Sequence, residues 1–422
     1  MANKSILVVG GGMSGLTAAV EAAETGYEVY LVEKKPYLGG RVAQLHKYFP
    51  KLCPPNCGLE INFRRIKTNP NIRIFTSAEV EAVSGQKGDY DVTVKLHPRF
   101  VTEDCTACGK CVEACPAERP NDFNFGLDKT KAIYLPHEFA FPMKYVIDPE
   151  ACSGSSCGKC LEACEYKAID LNAQAKSMNL KVDSIVWATG WEPYDASKIS
   201  YYNFEANENV ITNVMMERLA AKNGPTQGKI VRPSDGKPVT NVAFVQCAGS
   251  RDENHQPYCS QVCCLATLKQ ATYIREQYPD AKITIFYIDI RAMGKYEDFY
   301  TKVQEDENVV FIKGKVGEIT ENPDTKNLVL EVEDQIKGEV LHHEADLVVL
   351  ATGMVPSTLA NPIPVDGTTD DDGFVIAEPK ETGICGAGCA RKPMDVAASV
   401  RDATAAALKA IQGSVRGGNG NG

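Results

Sequence analysis

The residues with the most chemistry to offer are cysteines, and they are unevenly spaced. Sixteen occur in 422 residues, ten of them between Cys53 and Cys164 and four more in QCAGSRDENHQPYCSQVCC, residues 246–264. Cys105, Cys108, Cys111 and Cys115, followed by Pro116, form the run C-x2-C-x2-C-x3-C-P. Thiolates spaced in this way wrap three corners of an iron–sulfur cubane in one loop, while the fourth serves a neighbouring cluster. A second run, Cys152, Cys157, Cys160 and Cys164, reads C-x4-C-x2-C-x3-C, and Glu165 stands where a proline is expected. The crossed rule assigns Cys105, Cys108, Cys111 and Cys164 to one [4Fe–4S] cluster, and Cys152, Cys157, Cys160 and Cys115 to the other. Eight cysteines with no histidine among them argue against paired zinc knuckles.

The four cysteines of residues 246–264 fit no ferredoxin spacing. Cys259 and Cys263 are four apart and would share a face of a helix. Cys264 lies just around from them, and the positive end of a helix favours thiolates there. Cys247, ending a strand, could supply a fourth thiolate. Spacing alone leaves several readings open: a cluster, a zinc site, a vicinal redox pair or four inert thiols. Cys53 and Cys57 flank Pro-Pro-Asn, which reads as a tight structural loop ahead of half a metal site. Cys385 and Cys389 read as packing residues, with Cys389 also a candidate for tuning a neighbouring cofactor.

These cysteines need a scaffold. SILVV (residues 5–9) predicts a buried strand, followed by the turn Gly10-Gly11-Gly12-Met13-Ser14-Gly15, a helix, and a strand ending at Glu33. In this context Gly10 makes the tight turn, Gly12 lets backbone approach a pyrophosphate, and Gly15 lets helix and strand pack. The helix start, with Met13 and Ser14, faces the phosphates, and Glu33 is placed for a ribose hydroxyl. The Glu33-Lys34 step and the following Gly39-Gly40-Arg41 loop resemble flavoproteins that wrap FAD. Two strands end in Ala-Thr-Gly, at Ala188-Thr189-Gly190 and at Ala351-Thr352-Gly353. Such pairs resemble the thioredoxin-reductase-like flavoproteins, where one marks the exit from the FAD domain and the other the return. The segment from Gly386 to Ile411 resembles the closing FAD segment, with Gly388, Cys389 and Pro393 against the flavin.

A second strand–helix–strand unit follows Thr240, with Asp289 where an acid belongs. Its loop carries one glycine, Gly249, in place of three. A nicotinamide site in the usual place is therefore not expected.

The expected architecture is α/β, a thioredoxin-reductase-like two-domain flavoprotein. It comprises an FAD Rossmann domain, a second, degenerate Rossmann-like domain, and an inserted two-cluster ferredoxin domain. The segments are 1–96 (first FAD segment), 97–175 (ferredoxin insert), 176–238 (FAD return and linker), 239–350 (degenerate Rossmann-like domain), 351–412 (closing FAD segment) and 413–422 (flexible tail).

Composition narrows the function classes. Hydrophobic residues make up 44% and charged residues 24%, an ordinary globular balance. A net charge of -10 with no basic run argues against nucleic acid as a partner. No apolar run approaches the roughly 18 residues of a membrane span. MANKSILVVGGG has no leader pattern, so a soluble, cytoplasmic chain is expected. No serine nucleophile elbow, P-loop or HExxH motif is present, and no residue is assigned a catalytic role.

Three features together resemble the A subunit of heterodisulfide reductase and its relatives. They are the start GGGMSGLTAAVEAAETGYEVYLVEKKPYLGGR, the inserted ferredoxin, and QCAGSRD with CSQVCC. The resemblance covers nearly the whole chain. It implies FAD, two [4Fe–4S] clusters in the insert and a third [4Fe–4S] held by Cys247, Cys259, Cys263 and Cys264. LHKYFPKLCPPNCGLEINFRRI resembles more narrowly the flavoprotein A subunit of quinone-interacting membrane-bound oxidoreductase (Qmo) complexes of sulfate-reducing bacteria. That branch implies partners: an iron–sulfur flavoprotein (the Qmo-type B subunit), a haem-bearing membrane protein (the Qmo-type C subunit), and adenylylsulfate reductase. It implies electron transfer between menaquinol and adenylylsulfate reductase in sulfate reduction, on the cytoplasmic face of the inner membrane through partner subunits. Bifurcation or confurcation is left open, and so are a heterodisulfide-reductase-type soluble flavoprotein and a self-contained NAD(P)H oxidoreductase with fused ferredoxin. GSVRGGNGNG, read as a tail, stands where the full-length A subunits of heterodisulfide reductase continue into a further ferredoxin region, so self-sufficient bifurcation is not expected.

Overall fold

The computed structural model describes residues 4–49, 51–377 and 379–417. It divides into two compact units, Met1–Trp191 with Pro356–Gly422, and Glu192–Val355.

The first unit is built on a five-stranded parallel sheet. Its order is Ile384–Gly386, Ser184–Trp187, Ser5–Val9, Glu28–Glu33, Ile72–Thr76. Both faces of such a sheet are covered, so the Ser5–Val9 strand is apolar after its first residue and wholly buried. Alternation decides which layer each residue joins. Ile6, Val8, Val29 and Leu31 pack with the Met13–Glu24 helix and the alanines Ala403, Ala406 and Ala410 of the last helix. Leu7, Val9 and Val32 face the opposite way, onto Tyr90, Val92, Val94 and Leu180. Those last four belong to a three-stranded antiparallel sheet, Ala78–Gln86, Asp89–Leu96 and Lys176–Val182.

The ferredoxin insert leaves and rejoins this smaller sheet at one point, because Leu96 and Lys176 are register partners. Within it, Val101, Ile133, Tyr145, Ile147 and Ile169 make a small core shared with cysteines of both runs. A core this small cannot by itself offset the entropy of ordering the segment. Metal ligation is the usual remedy.

The last helix, Val396–Gly417, overruns the tail expected from residue 413. Ser414 holds it down. Its hydroxyl lies 3.2 Å from that of Ser184 and donates to the Ala410 carbonyl, and its own carbonyl accepts from Lys4. The remainder of the expected tail, 418–422, lies outside the described residues.

The second unit carries a seven-stranded sheet. Its order is Val210–Thr212, Leu347–Thr352, Asn241–Ala248, Lys282–Tyr287, Val309–Glu321, Leu328–Asp334, Glu339–Ala345. The first five strands run parallel and the last three form an antiparallel meander. Val210–Thr212 pairs with Val348–Leu350, so this unit recruits a strand from the segment read as return and linker. Among the described residues, no helix is long and apolar enough to cross a membrane.

Candidate flavin cradle and cysteine clusters

In the first unit, five chain segments meet around the Gly10–Gly15 loop. The glycines record how closely. A Cβ on Gly10, whose φ is +106°, would lie 2.3 Å from the Ala188 carbonyl oxygen, and one on Gly15 would lie 1.7 Å from that of Gly10. A Cβ on Gly40 would meet the Gly12 Cα at 2.8 Å, and one on Gly388 would meet the Ser14 hydroxyl at 2.0 Å. These close approaches bring together Gly10, Gly12, Ser14, Gly15, Gly40, Ala188 and Gly388. Gly12 differs from the other glycines: a Cβ there would face only the Gly40 Cα, at 3.7 Å. That open face, beside the start of the Met13–Glu24 helix, is the backbone cradle a pyrophosphate needs. Thr189 adds a buried hydroxyl with no hydrogen-bond partner. The residues present fit FAD.

The charged candidates behave differently from one another. Glu33 turns its carboxylate onto backbone, accepting from Gly11 N at 2.5 Å and Lys35 N at 2.7 Å. Burial pushes its carboxyl up, and these two bonds pull it back down. Lys34 is exposed and bonds to Asn361, away from the loop. Arg41 is pinned by the Trp191 carbonyl (3.2 Å) and the Gln44 side chain (3.1 Å). Burial lowers the Arg41 guanidinium to about 10 and the Lys35 amine to about 8, the latter helped by the positive charge of Arg41. Spacing does not single out Lys35; its environment is the signal. Cys389 is buried, and its thiol donates to the Met394 carbonyl at 3.4 Å beside buried Pro393. Cys385 donates to the Ala406 carbonyl, which makes it packing within the last helix's seat.

The insert touches this cradle. Gln44 donates to the Phe123 carbonyl at 3.0 Å, Leu38 N to the Phe141 carbonyl at 2.9 Å, and Phe125 lies 5.5 Å from the Arg41 guanidinium. Periodicity carries no trace of these long-range contacts.

Inside the insert, two octapeptides, CGKCVEAC (108–115) and CGKCLEAC (157–164), differ at one position, Val112 against Leu161. Each places a positive-φ glycine, Gly109 or Gly158, at the start of a short helix, Lys110–Ala114 or Lys159–Ala163. Cys105, Cys108, Cys111 and Cys164 line one pocket, closed by Val101, Ile133, Tyr145 and Ile169. Burial pushes the Cys111 thiol up to about 11, and the neighbouring Cys105 and Cys108 push the same way. The Cys160 thiol is pushed up first by burial, then by Cys152, with Cys115 also contributing. The first set is therefore the crossed one, and Cys115 lies near Cys152 and Cys160. The longer gap in the second run is taken up by a turn at Gly154–Ser156, whose Gly154 N donates to Cys152 Sγ at 3.4 Å. Glu165 pairs with Lys110 across the two halves.

In the second unit the Asn241–Ala248 strand ends irregularly. Register shifts between Val245 and Ala248, and Cys247 takes a φ of +57°. The helix opens at Cys263, so Cys259 precedes it in the loop and the two do not share a helical face. They meet anyway: burial first, then Cys264, Cys247 and Cys259, raise the Cys263 thiol well above its ordinary value. Neighbouring thiolates that repel one another are relieved when a cationic core binds them, so the donor set fits a cluster. Among the described residues, no group of three or more His, Cys, Asp or Glu side chains converges to hold a single metal ion. Thiolates spread over the corners of a cubane are a wider arrangement.

The loop between Cys247 and Cys263 fills the space a glycine turn would leave open. Gln256 and Tyr258 both donate to the Met354 carbonyl, and a Cβ on Gly353 would lie 2.1 Å from Gln256 Oε1. Thr352 and Gly353 therefore sit in the second unit, with the Thr352 hydroxyl bonded to Asn213 at 3.0 Å. Leu347–Thr352 is paired in parallel on both edges. Asp289, in the position of a ribose-binding acid, is instead held by Arg251 at 2.5 Å and Arg291 at 3.5 Å.

Comparison with known proteins agrees with this arrangement. A model of FAD-dependent oxidoreductases matches residues 5–49, and a 4Fe-4S binding domain model matches residues 98–118. The fold is that of thioredoxin reductases. The Lactococcus lactis enzyme superposes with a TM-score of 0.54 at 14% identity, over 98% of this chain and 100% of that one. The enzyme of T. acidophilum gives 0.53 at 14% identity, over the same shares. An iron–sulfur A subunit of the CoB–CoM heterodisulfide reductase of Methanopyrus kandleri is 42% identical over 428 residues, 96% of this chain and 63% of that protein. The A subunit of the H2:CoB-CoM heterodisulfide,ferredoxin reductase of Methanothermobacter marburgensis is 39% identical over 426 residues, 97% of this chain and 64% of that one. The chain thus spans about 63% of the length of the first of these curated relatives. With an FAD-dependent oxidoreductase domain and a 4Fe-4S domain on a thioredoxin-reductase-like fold, the chain is homologous, over nearly all its length, to heterodisulfide reductase A subunits.

Proposed function

We propose that this chain is an electron-transfer subunit of heterodisulfide reductase type, relaying electrons between partner subunits. The observation that carries this reading is the joining of Cys164 to Cys105, Cys108 and Cys111 in one pocket, beside an insert that touches the flavin cradle. When bound, FAD supplies the interchange of two- and one-electron steps, and the clusters supply single-electron carriage.

The chain's own residues do the rest. Gly12 and Gly40 leave room for the pyrophosphate, and the helix start at Met13 offers backbone N–H groups to it. Arg41, fixed by Trp191 and Gln44, presents a half-buried positive charge beside the same loop. Val101, Ile133, Tyr145 and Ile169 wall the inner side of the first cysteine group, where Cys111 is buried, while Cys108 is exposed. Gln44 and Leu38 hold the insert against the loop, which fixes the distance an electron would cross. The filled loop at 247–262 supports relay over nicotinamide oxidation.

The narrower reading gives the chain two partners, an iron–sulfur flavoprotein and a haem membrane protein, and sets it between menaquinol and adenylylsulfate reductase. It would then sit on the cytoplasmic face of the membrane. Its support is the 45–66 segment, LHKYFPKLCPPNCGLEINFRRI.

The test is iron and acid-labile sulfide per FAD on the anaerobically purified chain. About 12 iron per flavin is expected for three cubanes, and about 8 would limit the clusters to the insert. Rapid bleaching of the flavin by NADH or NADPH would overturn the relay reading. Reduction by a menaquinol analogue only in the presence of the haem membrane partner would favour the narrower one, and its absence there would remove it.

A further inference from the structure

Outside the assigned ligands, two cations lie near the third cysteine group: Arg251 lines a pocket with Cys247, and Arg291 lines another with Cys259 and also pairs with Asp289 at 3.5 Å. The Arg251 guanidinium is anchored by Asp289, 2.5 Å away. Asp289 is tied to the same group from a second direction, since its backbone carbonyl accepts from the Cys264 thiol at 3.8 Å. Arg251, Asp289 and Cys264 are therefore linked, with Cys247 in the same pocket as Arg251. Arg251 holds a left-handed backbone conformation, φ +57°, as does Cys247 itself. Such strain in non-glycine residues persists where the surroundings fix it. The pocket behind Cys247 is also polar. Gln246 lines it with both side-chain amide atoms buried and unpartnered, and Ser250 adds an unpartnered hydroxyl. The first group of the insert, by contrast, is walled mainly by apolar side chains and Tyr145. Lys315, the other cation lining this pocket, is committed to Asp252 at 2.9 Å.

We propose that Arg251, held by Asp289, is the charge-balancing and positioning residue of the site formed by Cys247, Cys259, Cys263 and Cys264. This rests on the reading of those cysteines as cluster ligands. Four thiolates around an iron–sulfur core leave a net negative charge that grows when the site is reduced. A cation held beside the sulfurs favours the more negative state. Arg251 thus raises the reduction potential of this site. The acid that would hold a ribose in a nicotinamide-binding relative is spent on orienting that cation.

The experiment compares the wild-type chain with Arg251→Gln and Arg251→Lys. Iron per FAD is measured first, and then each cluster's potential by dye-mediated dithionite titration followed by EPR. In Arg251→Gln one signal should move to lower potential by at least a tenfold change in its reduced-to-oxidised ratio, 59 mV for one electron. The two signals of the insert should stay in place. Arg251→Lys keeps the charge without the fork, and should fall between wild type and the glutamine variant. Full iron with unchanged potentials overturns the proposal and leaves the cysteine site standing. Iron of about 8 per FAD in the wild type overturns the site itself. If Arg251→Gln alone fails to load, a potential in Arg251→Lys below that of the wild type supports the proposal, and an unchanged one overturns it. If neither variant loads, the guanidinium serves assembly, and the claim that it sets the potential is overturned.

Discussion

Cys164 and Cys111 line the same pocket although they belong to different cysteine runs, so the two halves of the insert are interlocked through their ligands. Each half lends its last cysteine to the other's group. Cys164→Ser should therefore extinguish the signal of the cluster held by Cys105, Cys108 and Cys111, and spare the one held by the rest of its own run. EPR of the reduced variant checks this. Loss of the second signal with the first intact would mean uncrossed ligation.

Cys263→Ser tests the group in the second unit. Cys263 is buried among its three neighbours, and serine is a poor substitute for a thiolate ligand. The variant should lose about four iron per flavin and keep its FAD. An unchanged iron count would return these cysteines to the thiol or zinc readings.

Gly12 and Gly15 separate folding from cofactor binding. A Cβ on Gly15 would lie 1.7 Å from the Gly10 oxygen, so Gly15→Ala should destabilise the first unit by about 1–3 kcal/mol or more. Gly12→Ala meets no such wall and has φ −76°, so it should cost about 1 kcal/mol or less as a helix-cap change. It should nevertheless purify with much less FAD. Urea unfolding and flavin absorbance read the two effects apart. Full flavin in Gly12→Ala would move the pyrophosphate elsewhere.

The local features of this molecule are legible in the sequence and the long-range ones are not. The Ser5–Val9 strand and its turn announce themselves because apolar continuity and glycine placement act over a few residues. The joining of Cys164 to Cys105, Cys108 and Cys111 is the exception, read from the recurring ferredoxin spacing rather than from local preference. The contact of Phe123 and Phe141 with the flavin loop is not legible, because backbone bonds between distant segments leave no periodic mark. Cys259 lies outside the helix that its spacing suggests, because spacing alone does not say where a helix begins.

Lys35 supplies a pH dependence. In the folded chain burial and Arg41 lower its amine to about 8, against roughly 10.4 when unfolded. Between those values the unfolded chain holds the extra proton, so stability of the flavin-free protein should rise with pH across that window. Lys35→Met should flatten the rise. Urea midpoints at two pH values, taken on both forms, decide it. Equal slopes would place Lys35 in solvent.

Leu96 and Lys176 sit side by side in one ladder, so the whole cluster-bearing segment is strung between two adjacent points. The host sheet registers no difference between a tight turn and a domain at that junction. Closing a long loop there costs little more than closing a short one. The segment is thus a replaceable cartridge: its metal content, and with it the number of electrons the molecule can store, can be rewritten while the flavin scaffold keeps its register.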